Sequence, residues 1–92
     1  MPEKQILTDT QTEGDVFSVQ GVYAEITLSK HSGGQWTVQR RTPDDEWIDT
    51  NIVFARNDVK SFVAMPGLPY RIAGGTAGAT AWVADDSEAF RG

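Results

Sequence analysis

Residues 33–50, GGQWTVQRRTPDDEWIDT, decide the fold. An extended run over 35–42 carries Trp36 and Val38, and a return run over 46–50 carries Trp47 and Ile48, residue types that suit a pleated, half-buried surface. Between them Pro43 presets φ for the second position of a type I turn, and Asp44 and Asp45 can hydrogen-bond their own backbone. The stretch reads as a β-hairpin, and its register decides where the tryptophans go. A two-residue loop at Pro43 and Asp44 sets Thr42 opposite Asp45 and Arg40 opposite Trp47. Trp36, Val38, Arg40 and Trp47 then share one face. A loop one residue longer sets Arg41 opposite Trp47 and moves Trp47 off the Trp36 face. That loop needs a residue in the left-handed region, usually Gly, and only Asp or Glu is available, so the shorter loop is the expected register. In both, Trp47 lies across from an arginine, a cation–π stack at the rim of the core.

Working outward, residues 22–29 alternate well, with Val22, Ala24, Ile26 and Leu28 on one face and Tyr23, Glu25, Thr27 and Ser29 on the other. This is the pattern of a strand with one wet face. Residues 15–20 are a further strand candidate with Phe17 and Val19 on one face, and Gly21 interrupts it. Residues 30–34, KHSGG, form a loop into the hairpin. After it, 51–55 is apolar, 56–58 looks like a turn, and 59–65 gives a strand with Phe62 inward. Pro66–Pro69 breaks that strand, 70–73 is a short one, 74–78 is a small-residue loop, and 79–84 carries Trp82 in the last strand. About seven short strands at intervals of roughly ten residues predict an all-β fold, a small antiparallel β-sandwich or barrel. The expected organisation is an N-terminal arm over 1–14, the sandwich domain over 15–84, and an acidic C-terminal tail over 85–92, with Phe90 available to dock. Lys4, Ile6 and Leu7 form either a mobile segment or an edge strand.

A chain of 92 residues makes one domain. With no cysteine there is no disulfide, zinc-thiolate site or cysteine nucleophile. A net charge of −5 argues against a nucleic-acid partner, whose phosphates need a basic face, and against anionic membrane surfaces. No apolar run reaches the roughly 20 residues that span a bilayer, and the N-terminus lacks the apolar stretch of a signal peptide, so synthesis in the cytoplasm without export is expected.

No catalytic motif stands out. His31 is the only histidine and sits in a Gly/Ser loop, where an ordinary solvated side chain is expected. Residues 74–78, GGTAG, lack the lysine and helix of a phosphate loop. The acidic clusters Asp44–Glu46 and Asp85–Glu88 lack the converging oxygen spacing of a calcium loop and read as turn chemistry and solubility. No enzyme activity, metal or cofactor is expected. The aromatic set divides into core candidates, Trp36 and Tyr70, and a more exposed pair, Trp47 and Trp82. With Arg40 and Arg41, that pair makes the candidate contact surface. Such rings serve a carbohydrate-binding module or an immunoglobulin-like adhesion domain as well as any other binding role, so both remain alternatives.

With these strands placed, the run Phe17-Ser-Val-Gln-Gly21, the strand ending at Leu28, GGQWTVQRRTPDDEW, then Phe62, Ala64, Pro66 and Gly67, and finally Tyr70-Arg71, resembles the small β-sandwich proteins of tailed-phage virions. The resemblance spans roughly Val16 to Val83. Val38 stands where Leu is usual and Glu46 where Gly is usual. It implies a structural role as a capsid decoration, cement or other accessory protein, bound in many copies to capsid or other virion proteins. A homo-oligomer, first of all a trimeric ring, follows from the same resemblance. The arm carrying Lys4, Ile6 and Leu7 then becomes the candidate assembly segment, dispensable for folding and ordered on the particle.

Overall fold

A computed structural model describes residues 3–86. Seven strands follow one another: β1 (Lys4–Leu7), β2 (Tyr23–Ser29), β3 (Gly34–Arg41), β4 (Trp47–Phe54), β5 (Asp58–Val63), β6 (Tyr70–Gly75) and β7 (Thr80–Asp85). They form a four-stranded sheet in the order β1-β7-β2-β5 and a three-stranded sheet in the order β4-β3-β6, with every pairing antiparallel. The two inner faces close on one core. The four-stranded sheet contributes Ala24, Ile26, Leu28 and Val83, and the three-stranded sheet contributes Trp36, Val38, Phe54 and Ile72, all buried. The small antiparallel sandwich expected from the strand pattern is the fold observed.

The hairpin β3–β4 takes the longer loop. Arg41 pairs with Trp47 and Arg40 with Ile48. Thr42 N donates to Glu46 O (2.8 Å), Asp45 N donates to Thr42 O (3.0 Å), and Asp45 sits at φ 67°. This is a three-residue loop in which an aspartate takes the left-handed position. The shorter register expected from the absence of glycine is therefore incorrect. Aspartate tolerates this region better than most residues, and the Thr42 hydroxyl, which donates to Asp44 Oδ1 and accepts from Glu46 N, adds hydrogen bonds within the loop. Trp36, Val38, Arg40 and Ile48 share the inward side, while Trp47 points out with Arg41.

Further along the hairpin, Thr37 pairs with Val53 but Gln39 with Asp49, so β4 carries two extra residues over a bulge at 50–52. Thr50 Oγ1 donates to Val38 O (2.7 Å) and accepts from Ile52 N (3.2 Å), filling the gap in the ladder. Residues 51–55, expected as a separate apolar segment, thus continue β4.

Of the two expectations for the segment around Lys4, Ile6 and Leu7, the edge strand holds and the free arm does not. A bulge between Gln5 and Leu7 turns two successive side chains inward, and Ile6 and Leu7 are both 0% exposed. They belong to the core, and only Lys4 of the three candidate assembly residues is exposed. Residues 15–20 are not a regular strand. They lie along β6 through the isolated bridge Phe17–Tyr70, joined upstream by Glu13–Ala73. Phe17 and Val19 are nevertheless buried, so the alternation was right without the ladder. Val22, expected inward, is half exposed. Gly14 N donates to Ile72 O (2.7 Å) and Asp15 N to Ile6 O (2.8 Å), so this segment ties the two sheets together along one side of the sandwich.

Tyr70 opens β6 with its ring buried between Phe17 (6.0 Å, stacked) and Phe62 (5.9 Å, edge-on). Its hydroxyl accepts from Met65 N (3.1 Å), a tyrosine corner that fixes the 64–69 connection. The final strand departs from an immunoglobulin layout, in which the last strand pairs with its predecessor. Here β7 crosses to the opposite sheet and inserts between β1 and β2.

Candidate functional site

The four expected contact residues fall in three places. Trp47 lies on the outer face of the three-stranded sheet. Arg71 covers its ring, with the guanidinium carbon 4.4 Å from the ring centroid, and Arg41 approaches at 5.7 Å. Arg71 is itself held: its Nε donates to Gln39 Oε1 (2.8 Å) and its Nη2 lies 3.4 Å from Glu13 Oε2. Gln39 Nε2 in turn donates to Asp49 Oδ1 (2.8 Å). These positions share a face because Arg41–Trp47, Gln39–Asp49 and Gln39–Arg71 are facing pairs in the register. The outcome is a polar, cross-strand network in which one face of Trp47 is already stacked.

Arg40 lies on the other side of β3 from Arg41, opposite Ile48 and Tyr70 at the rim of the core, and is exposed. Arg41 also pairs loosely with Asp45 (3.9 Å), an exposed contact of little energetic weight. Trp82 is on the outer face of the four-stranded sheet, between Thr27 and Gln5 in the register. The tryptophans therefore look out from opposite sides of the molecule and do not form one platform.

That second outer face joins the wet face expected of residues 22–29 to the outward side chains of β5, which the sequence did not single out. Tyr23 pairs with Val63, Glu25 with Ser61, and Thr27 with Val59, and strand alternation puts all six outward. Tyr23 is 60% exposed, Val63 67% and Val59 52%. Glu25 also faces Ala84. A shallow hollow of about 280 Å³ opens beside Tyr23, floored by Ser61 and Ala84 and flanked by Glu25. Two signals were available in the sequence. In β5, Val59 and Val63 alternate with Lys60 and Phe62, giving apolar residues on both faces. In β2, the face holding Glu25 and Thr27 also holds a tyrosine.

The acidic pair at the end of β7 has a structural task. Asp85 Oδ2 accepts from Gln20 N (2.8 Å) and Gly21 N (3.0 Å), and Asp86 Oδ1 accepts from Val22 N (2.9 Å) and Tyr23 N (3.3 Å). Four backbone donors at the entry to β2 are thereby satisfied, and the end of the face bearing Tyr23 is fixed. The rest of the expected tail, with Glu88 and Phe90, lies outside the described residues.

In the other acidic cluster, the Thr42 hydroxyl and the backbone N–H of Asp44 hold the Asp44 carboxyl below its ordinary value. His31 is engaged locally: Nε2 lies 2.9 Å from Gly34 O, and its backbone N donates to Asn57 Oδ1 (2.8 Å). Among the described residues no group of three or more His, Asp or Glu side chains converges as a metal site, and no helix is long and apolar enough to cross a membrane. Comparison with protein-family models, curated proteins and solved structures found no match to the chain.

Proposed function

We propose that this chain is a non-enzymatic structural protein of a phage virion, a capsid decoration, cement or related accessory that binds the particle in multiple copies. The observation that carries the reading is the outer face of the four-stranded sheet, where Tyr23, Val59, Val63 and Trp82 offer apolar side chains to a protein partner. Exposed apolar side chains gathered on one sheet face and interleaved with polar ones suit protein–protein contact. The resemblance of the hairpin and the strands around it supplies the particle, and the small antiparallel sandwich is the fold which that resemblance implies. Capsid or other virion proteins are the partners in this reading, with synthesis in the host cytoplasm, and neither nucleic acid nor membrane is engaged.

The glycan alternative draws no support from the tryptophans, which face opposite ways, one of them beneath an arginine. The strand order gives the immunoglobulin-like alternative none either.

Density-gradient-purified virions made from the genome that encodes the chain provide the test. Quantitative mass spectrometry is expected to find the protein at a fixed ratio to the major capsid protein, and its absence from virions overturns the assignment. Titration with a glycan panel, followed by Trp fluorescence, is expected to give no saturable change. A saturable quench abolished by Trp82→Ala would put sugar binding in its place.

A further inference from the structure

Each route to self-association leaves a mark on a small sandwich, and most are closed here. Extension of a sheet through a free edge needs a flat, unprotected strand. The sides of β1 and β6 are bridged by residues 13–17. β4 is bent by its two-residue bulge. β5 turns Lys60 to the inner row, opposite Ile26, where its Nζ stands 5.6 Å from the Phe54 ring centroid, a charge that a neighbouring strand would bury. The outer face of the three-stranded sheet has its polar groups and Trp47 tied into one network. The outer face of the four-stranded sheet remains, with apolar side chains that have no neighbour on the solvent side.

We infer that this face pairs with the same face of a second copy about a two-fold axis, Tyr23 of each copy seating over Ser61 and Ala84 of the other and donating its hydroxyl to Glu25. An isologous interface requires a surface complementary to itself. Here a projecting ring, 60% exposed, borders a hollow of about 280 Å³ whose floor is Ser61 and Ala84 and whose walls are Glu25, Asp85 and Asp86. Glu25 lines the same hollow between Ser61 and Ala84, and a carboxylate losing water in a closed interface needs a donor. The Tyr23 phenol is a donor the same face carries, and the two-fold makes the exchange reciprocal.

The area suits a reversible pair. Four strands about 4.8 Å apart and about six residues long present roughly 20 × 20 Å, or on the order of 600 Å² of accessible surface once side-chain relief is included. Two copies would bury about 1,200 Å², the lower end of specific interfaces, where weak and transient association is found. A three-fold ring would instead need two different complementary patches on each subunit. The single face favours the pair over the trimer that the virion resemblance implies. The inference rests on reading the face as a protein-binding surface and is independent of whether a particle is its destination.

Sedimentation velocity on the full chain from about 1 to about 500 μM, the range in which weak reversible pairs form, tests it. A reversible monomer–dimer equilibrium is expected. Val63→Glu and Tyr23→Ser should each weaken it at least tenfold without changing the circular dichroism or the melt, and Tyr23→Phe should weaken it about threefold. Ile48→Glu, at an equally exposed position on the other sheet, should leave it unchanged. Because Glu25 and Asp86 make the face acidic, raising salt from about 0.02 to about 0.5 M should tighten the dimer by screening like charge. A monomer across the range, a trimer, or equal disruption by Ile48→Glu overturns the pairing. A dimer missing from virions overturns the proposed function alone, and a monomer present in virions overturns the pairing alone.

Discussion

Trp36 and Gly75 are fitted so closely that a Cβ added to Gly75 would stand 2.2 Å from the indole. The indole is wholly buried and its Nε1 has no hydrogen-bond partner, a cost of about 1–3 kcal/mol that the buried ring outweighs. Trp36→Ala should lose about 3–5 kcal/mol, a large share of a total stability of about 5–15 kcal/mol, measured as a fall in the denaturant midpoint. Gly75→Ala should cost at least about 2 kcal/mol, because the ring has no room to give way. Combining it with Trp36→Leu should cost less than the sum of the two, since the clash disappears with the ring, and a double-mutant cycle reads that coupling. Tyr70→Phe removes the acceptor for Met65 N and should cost about 1 kcal/mol with the ring packing kept.

At the level of elements, the hairpin turn and β1 separate what was legible in the sequence from what was not. That the 33–50 stretch turns back on itself was readable from Pro43 and the flanking β-formers. Its register was not, because the left-handed position went to Asp45 and not to a glycine. Asp45→Val should therefore destabilise by about 1–2 kcal/mol while Asp45→Gly is neutral or stabilising, as thermal melts would show.

The same turn carries a pH dependence. Asp44, held below its ordinary value of 3.8, stabilises the folded state above the unfolded pKa, and this contribution is lost as pH falls through the lowered folded value. Thr42→Val should raise the Asp44 titration toward 3.8, read by carboxyl NMR. β1 was ambiguous for a different reason: Ile6 and Leu7 are adjacent, and strand alternation sends adjacent residues to opposite faces. Only a bulge makes both core residues, and nothing local in KQIL announces one. Deleting residues 1–7 should abolish cooperative unfolding, because it empties two fully buried positions and exposes the edge of β7. A truncated chain that melts like the parent would show that β1 adds nothing.

For the whole molecule, the all-β class followed from strand spacing, since alternation and turn residues are local properties. The strand order did not follow, because it is set by which edges remain free once the hairpin has formed. The same holds for the outer faces. Trp47 and Trp82 looked alike in sequence as aromatics beside polar segments. Facing pairs with Arg41 and Thr27 put them on opposite sides of the sandwich. Tyr23 was legible on the wet face of residues 22–29, whereas Val59 and Val63 were hidden because apolar residues in a short strand read as its core side. The exposed face becomes visible only when β2 and β5 are laid side by side.

The place of β7 sets an order of events during synthesis. β1 and β2 emerge early from the ribosome, yet β1 has no sheet partner, and β2 only β5, until residues 80–85 have left the exit tunnel. Until then the hairpin β3–β4 with its β6 neighbour and the β2–β5 pair can form, while Ile6 and Leu7 have no strand to dock beside. The domain is therefore completed after translation of its last strand and not progressively along it. Ribosome-bound chains arrested before β7 emerges should be protease-sensitive, above all in β1, and those arrested well beyond it should be resistant.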